Sequence, residues 1–225
     1  MAGERTPGPL GREKFAAEAL WSPSGASFAS PMPIGADSGE ATELTGSKNI
    51  VKVTKDWSDP PSVTPKFTPE ISGKTLKAVL AKLEQLEEWG TGGGNVGGTG
   101  KNGQIEAKPS DDGKGYTVAL KGTFFITLPK WTEYSTATDA QKKSWDAMIA
   151  NLKIHEEEHV AIAYRGAEKL VKDLTGLDVD LAAQKVADAQ TDTQNKQDDF
   201  DTKTDHGNQV HGKFPKVVLD TSADP

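Results

Sequence analysis

The stretch Ile154-His155-Glu156-Glu157-Glu158-His159-Val160 sits inside a long helical pattern, with its two histidines four residues apart. On a helix, residues i and i+4 share one face, so both imidazoles can reach a single point. Trp145, Met148, Ile149, Leu152, Ile162, Leu170 and Leu174 carry the apolar stripe of the same pattern. The histidines continue that stripe, which turns them inward. Thr138 or Asp139 suits the start of this helix and Gly176 suits its end, so the pattern predicts a helix from about 138 to 174.

His-Glu-x-x-His is the spacing with which two imidazoles bind one zinc ion while the glutamate acts as general base on metal-activated water. His155 and His159 are the expected ligands and Glu156 the expected base. A catalytic zinc site takes three protein ligands. The chain has four histidines, and the other two, His206 and His211, fall in Asp205-His206-Gly207-Asn208-Gln209-Val210-His211-Gly212. His206 is the favoured third ligand, since it follows a second helix and precedes a glycine. His211 is the substitute, or a partner for a developing oxyanion. Carboxylates at Glu168, Asp173, Asp178 and Asp180 are alternatives. A histidine six residues past His159 would define another ligand pattern, but that position is Arg165. Glu157 and Glu158 read as a solvated helix face.

Around this centre, Asn49 to Val53 alternates as a strand. Leu76, Val79, Leu80, Leu83 and Leu86 follow helical spacing up to Trp89-Gly90. Gly90 to Gly103 reads as a glycine-rich connector with a gating role. It lacks the letters of a phosphate-binding loop, because Gly100-Lys101 is followed by Asn102 and Asn95 stands where the first glycine belongs. Asp111-Asp112-Gly113 is a turn, and Tyr116 to Leu128 is a β-rich run. A second helix is expected from about 180 to 200.

The chain has 225 residues, enough for a sizeable core. Residues 1–47 are rich in Gly, Pro and Ser and read as a disordered tail; 48–216 are the expected domain, and 217–225 a short C-terminal tail. Net charge is −7 with both signs interspersed, which argues against nucleic acid as a partner. There is no apolar run of membrane-spanning length and no stretch of signal-peptide character. Cysteine is absent, which removes disulfides, thiolate ligands and thiol nucleophiles together.

Five stretches, taken in order, resemble the DUF922 family of predicted secreted zinc-dependent proteases. They are Ile71-Ser72-Gly73-Lys74-Thr75-Leu76, Phe125-Ile126-Thr127-Leu128-Pro129-Lys130-Trp131, Trp145-Asp146, the His155–His159 motif, and Asp201-Thr202-Lys203-Thr204-Asp205-His206-Gly207. The resemblance spans roughly residues 48 to 216. It implies Zn2+ held by His155, His159 and His206 with Glu156 as base, and an extracellular location. Phe200 stands where that family often has tyrosine.

The combined expectation is an α+β, zincin-like fold: an antiparallel sheet packed on the motif-bearing helix and a second C-terminal helix. The function expected is a zinc metallopeptidase acting on a peptide or protein, with Thr123–Leu128 as the edge strand beside the metal. A non-catalytic zinc-stabilised interaction module is the alternative, as is an exported effector using the same fold.

Overall fold

The computed structural model describes residues 49–98 and 105–224. The tail at 1–47 and the part of the expected connector between 99 and 104 lie outside the described residues. Eight elements follow in chain order: β1 (Val51–Lys55), β2 (Lys66–Ile71), α1 (Leu76–Leu83), β3 (Thr91–Gly98), β4 (Ala107–Pro109), β5 (Tyr116–Trp131), α2 (Asp139–Leu174) and α3 (Val179–Thr204). The class is α+β, with one five-stranded sheet.

The sheet corrects the antiparallel expectation. β5 is its centre and is long enough to take two partners on each side. β1 pairs parallel with Tyr116–Leu120, and β2 pairs parallel with the far end at Thr127–Trp131. β3 and β4 pair antiparallel, β3 over Leu120–Thr127 and β4 over Tyr116–Val118. Hydrophobic alternation says which face of a strand is buried, and carries no sign of chain direction. Parallel pairing needs a long crossover, and α1, β3 and β4 all lie between β2 and β5. Thr123–Leu128 is therefore an interior segment and not an edge.

The glycine-rich stretch is the second correction, since Thr91–Gly98 is a strand. Its glycines serve close approach. A Cβ at Gly92 would lie 2.2 Å from the carbonyl oxygen of Glu156, and one at Gly94 would overlap the Phe124 ring. With no side chain at Gly92, β3 lies directly against α2 at the motif. Gly92→Ala is expected to destabilise the protein by about 1–3 kcal/mol, because the atom in the way is helix backbone and cannot rotate aside. Thermal melting checks this; a melting temperature equal to wild type would show that β3 does not touch the helix there.

α2 starts with a capping box, in which the Thr138 hydroxyl accepts from the Gln141 amide and the Gln141 side chain accepts from the Thr138 amide. It ends before Gly176, which is left-handed at φ 81°. Two apolar clusters flank its length. The N-terminal half (Trp145, Met148, Leu152) packs with α1, Ile126, Leu128 and Trp131. The C-terminal half (Ala167, Leu170, Leu174) packs with β1, Val118 and the start of α3. His155 and His159 fall at the junction of the two. α3 comes close to α2 at Gly166, where a Cβ would sit 2.2 Å from the Thr193 hydroxyl oxygen.

The segment after residue 216 is packed on the domain. Val217 and Leu219 are buried in the first cluster. Asp224 accepts from the amides of Leu76 and Lys77 and from the Gln141 side chain, which caps α1 and joins it to α2.

Candidate metal centre

His155, Glu156 and His159 are 6%, 4% and 7% exposed, so the motif is interior as its stripe position requires. The two Nε2 atoms are 3.2 Å apart. A third donor faces both: Asp201 Oδ1 on α3 lies 3.4 Å from His155 Nε2 and 3.0 Å from His159 Nε2. Among the described residues, His155, His159 and Asp201 form the group able to hold a metal ion. Ligand atoms about 2.0–2.1 Å from a tetrahedral zinc stand roughly 3.3 Å from one another. The observed triangle has that size, and two imidazoles with a carboxylate suit zinc chemically. By geometry and by donor type, these residues fit the ion.

His206 lies just beyond this triangle. Its Nδ1 is 4.0 Å from Asp201 Oδ1 and its side chain is 47% exposed. It belongs to a turn of three successive left-handed residues, Asp205 (φ 47°), His206 (φ 52°) and Gly207 (φ 82°). Such backbone is uncommon for residues with a Cβ and costs on the order of 1 kcal/mol or more each. The turn reverses the chain at the end of α3, and Gly207 then packs beside Val217 and His155. His211 is exposed and pairs through its backbone with Phe214.

The other carboxylates considered as ligands have different work. Glu168 accepts from Lys55 and from the Trp57 indole, Asp173 pairs with Lys169, Asp178 caps α3, and Asp180 lies in the first turn of α3. Glu157 pairs with Lys153 on the helix surface. Glu158 is more enclosed than a solvated face implies, since it meets both Arg165 and Lys213.

Sequence reasoning did not single out Asp201 as a donor facing the two imidazoles, although it opens the Asp-x-x-Thr-x-His-Gly stretch. It also missed Gln197, one turn earlier on α3, which meets the His159 ring and main chain. Phe200 lies face-on to His155 at 4.8 Å and edge-on to His159 at 5.1 Å, and Phe214 packs behind it. Asp201, Gln197 and Phe200 are spaced so that one face of α3 carries all three. That spacing was the available signal. Glu88, between α1 and β3, acts on Glu156 by its charge, and nothing in its neighbours along the chain marks it.

The electrostatics follow from burial and from this trio. Burial alone would raise Asp201, but hydrogen bonds and charge from His155 and His159 hold it well below the ordinary carboxylate range. Burial works against the charge on His159; Asp201, Glu156 and Gln197 outweigh it and push the imidazole up to about 9. Burial is also the largest influence on Glu156. With Glu88 and Asp201 adding to it, and His159 and the Gly92 amide opposing, the carboxyl is pushed up to about 8. Burial raises Glu88 as well, helped by Asp201.

A family model described as "Bacterial protein of unknown function (DUF922)" matches residues 68–207, well over half of the chain. The chain belongs to the DUF922 family. The matched region runs from β2 to the left-handed turn and so includes every residue of the triangle. No curated protein and no solved structure matches the chain.

Proposed function

We propose that this DUF922 protein is a zinc-dependent peptidase of zincin-like build, with the ion held by His155, His159 and Asp201. The observation that carries the reading is the triangle of donor atoms, with edges of 3.0 to 3.4 Å, beside a buried glutamate that is not one of its corners. When bound, zinc supplies Lewis acidity that polarises a carbonyl and makes water more acidic. The chain's own residues then account for the remaining chemistry. Glu156 accepts a proton from water and donates it to the leaving amine. The Gly92 amide favours the charged form of the Glu156 carboxyl, against its burial. Phe200 and Phe214 shield the imidazoles from water. His206, at the rim, is suited to donate to oxygen of a bound substrate.

β3 pairs with β5 on one side only among the described residues. An extended peptide aligned with the other edge of β3 would pass Glu156. This moves the substrate-pairing role from Thr123–Leu128 to Thr91–Gly98.

Elemental analysis and zinc titration of the purified protein test the reading. About one ion per chain is expected, together with zinc-dependent cleavage of a proteome-derived peptide library. No transition metal and no uptake of added zinc would end the metalloenzyme reading. Zinc-loaded protein that cuts no peptide would instead favour a zinc-stabilised interaction module.

A further inference from the structure

Gln197 makes two hydrogen bonds to one residue, and their combination has only one consistent polarity. Its Nε2 donates to the main-chain oxygen of His159 at 3.0 Å, and its Oε1 faces Nδ1 of the same histidine. A carbonyl oxygen can only accept, so the NH2 end of the amide must point to it. The carboxamide oxygen is thereby turned to the ring, and an oxygen can only accept. Nδ1 of His159 must then carry a hydrogen, whatever the charge on the ring. Both residues are buried, at 6% for Gln197 and 7% for His159, so water is poorly placed to substitute for either bond. The atom left to face His155 and Asp201 is Nε2.

We infer that Gln197 is a positioning residue that commits His159 to binding the metal through Nε2. The inference rests on the metal site proposed above. The amide grips the ring at one end and the helix at the other, so it sets both the tautomer and the ring's rotation. Such outer partners of metal-bound histidine typically change metal affinity 10–100-fold when removed. The Gln197 contacts tie α3 to α2 one turn before Asp201, so the clamp also holds the helix that brings the third donor. A glutamine facing inward from a polar helix is thus accounted for by what it does to His159.

The test uses zinc alone, titrated into the full chain against a chromophoric chelator. Gln197→Leu keeps the size and loses both bonds; it is expected to weaken zinc binding by about 10–100-fold. Gln197→Glu keeps an acceptor for the Nδ1 hydrogen and is expected to stay within a few-fold of wild type. A residue that merely fills space between the helices would give the reverse order or no difference, and either result overturns the inference. Should Gln197→Leu fail to fold, nitrogen NMR of the wild-type zinc complex decides the matter. His159 is expected to show a protonated Nδ1 and a metal-bound Nε2; the opposite assignment overturns the inference. If wild type itself takes up no zinc, the metal site has failed, which is a different outcome from wild type and Gln197→Leu binding equally well.

Discussion

Glu156→Gln is expected to lower peptide hydrolysis by about 10²–10⁴-fold while leaving the fold and the zinc content intact, since general acid–base catalysis by a positioned side chain contributes on that order. The structure gives reasons for both halves. Glu156 is not a corner of the donor triangle, so replacing it removes no ligand. Its carboxyl is buried, accepts from the Gly92 amide and is pushed up to about 8, so in the metal-free protein at neutral pH it is largely the uncharged acid. A glutamine amide copies that acid in size, neutrality and capacity to accept from Gly92. The linkage has a definite sign. A carboxyl that ionises near 4.5 when unfolded and near 8 when folded destabilises the folded state increasingly as pH rises between those values. Metal-free Glu156→Gln should therefore melt no lower than wild type at pH 7, and the difference should vanish below pH 4.5. A group kept at a site at some expense of stability is what a catalytic role predicts. Cleavage at the wild-type rate by the glutamine variant would show that the proton acceptor is another group. A large loss of zinc would show that Glu156 binds the ion.

How much of this was legible in the chain depends on the range over which each feature is determined. The helix carrying the motif was readable to within a residue, because Thr138, the apolar stripe and Gly176 are local signals. The inward orientation of His155 and His159 followed from the same periodicity. Strand direction was not readable, since β1 and β2 reach β5 only across long connections. The strand at Thr91–Gly98 was hidden by its composition. Glycine normally opposes strand formation, and here it is required because the Glu156 turn of α2 leaves no room for a Cβ. The third donor was missed for a related reason. Histidine is the stronger prior for zinc, and Asp205-His206-Gly207 looks like an ordinary helix end. Three consecutive left-handed residues there swing His206 to the rim, and Asp201, one turn back on the helix, faces the pair. No sequence periodicity encodes that reversal.

Asp201→Ala is expected to weaken zinc binding by well over 100-fold, and His206→Ala by less than about 10-fold, a ligand being worth more than the 10–100-fold of an outer partner. The distances support this order. Asp201 Oδ1 lies 3.4 and 3.0 Å from the two Nε2 atoms, whereas His206 comes within 4.0 Å of Asp201 itself and stands half in solvent. The metal-free protein offers an independent check. Asp201 is the chief influence holding His159 up to about 9 against burial, which alone would lower it from 6.5. Converting Asp201 to Asn keeps the shape and removes the charge. The His159 ring should then lose its proton at a lower pH than in wild type, and NMR titration of its ring protons reads that change without any metal present. His206→Ala leaves Asp201 in place and should move this titration little. Zinc affinity that falls more for His206→Ala than for Asp201→Ala would make His206 the third ligand and Asp201 its support. In that event the left-handed turn would have to rearrange on binding, because its present course keeps the imidazole at the rim of the triangle.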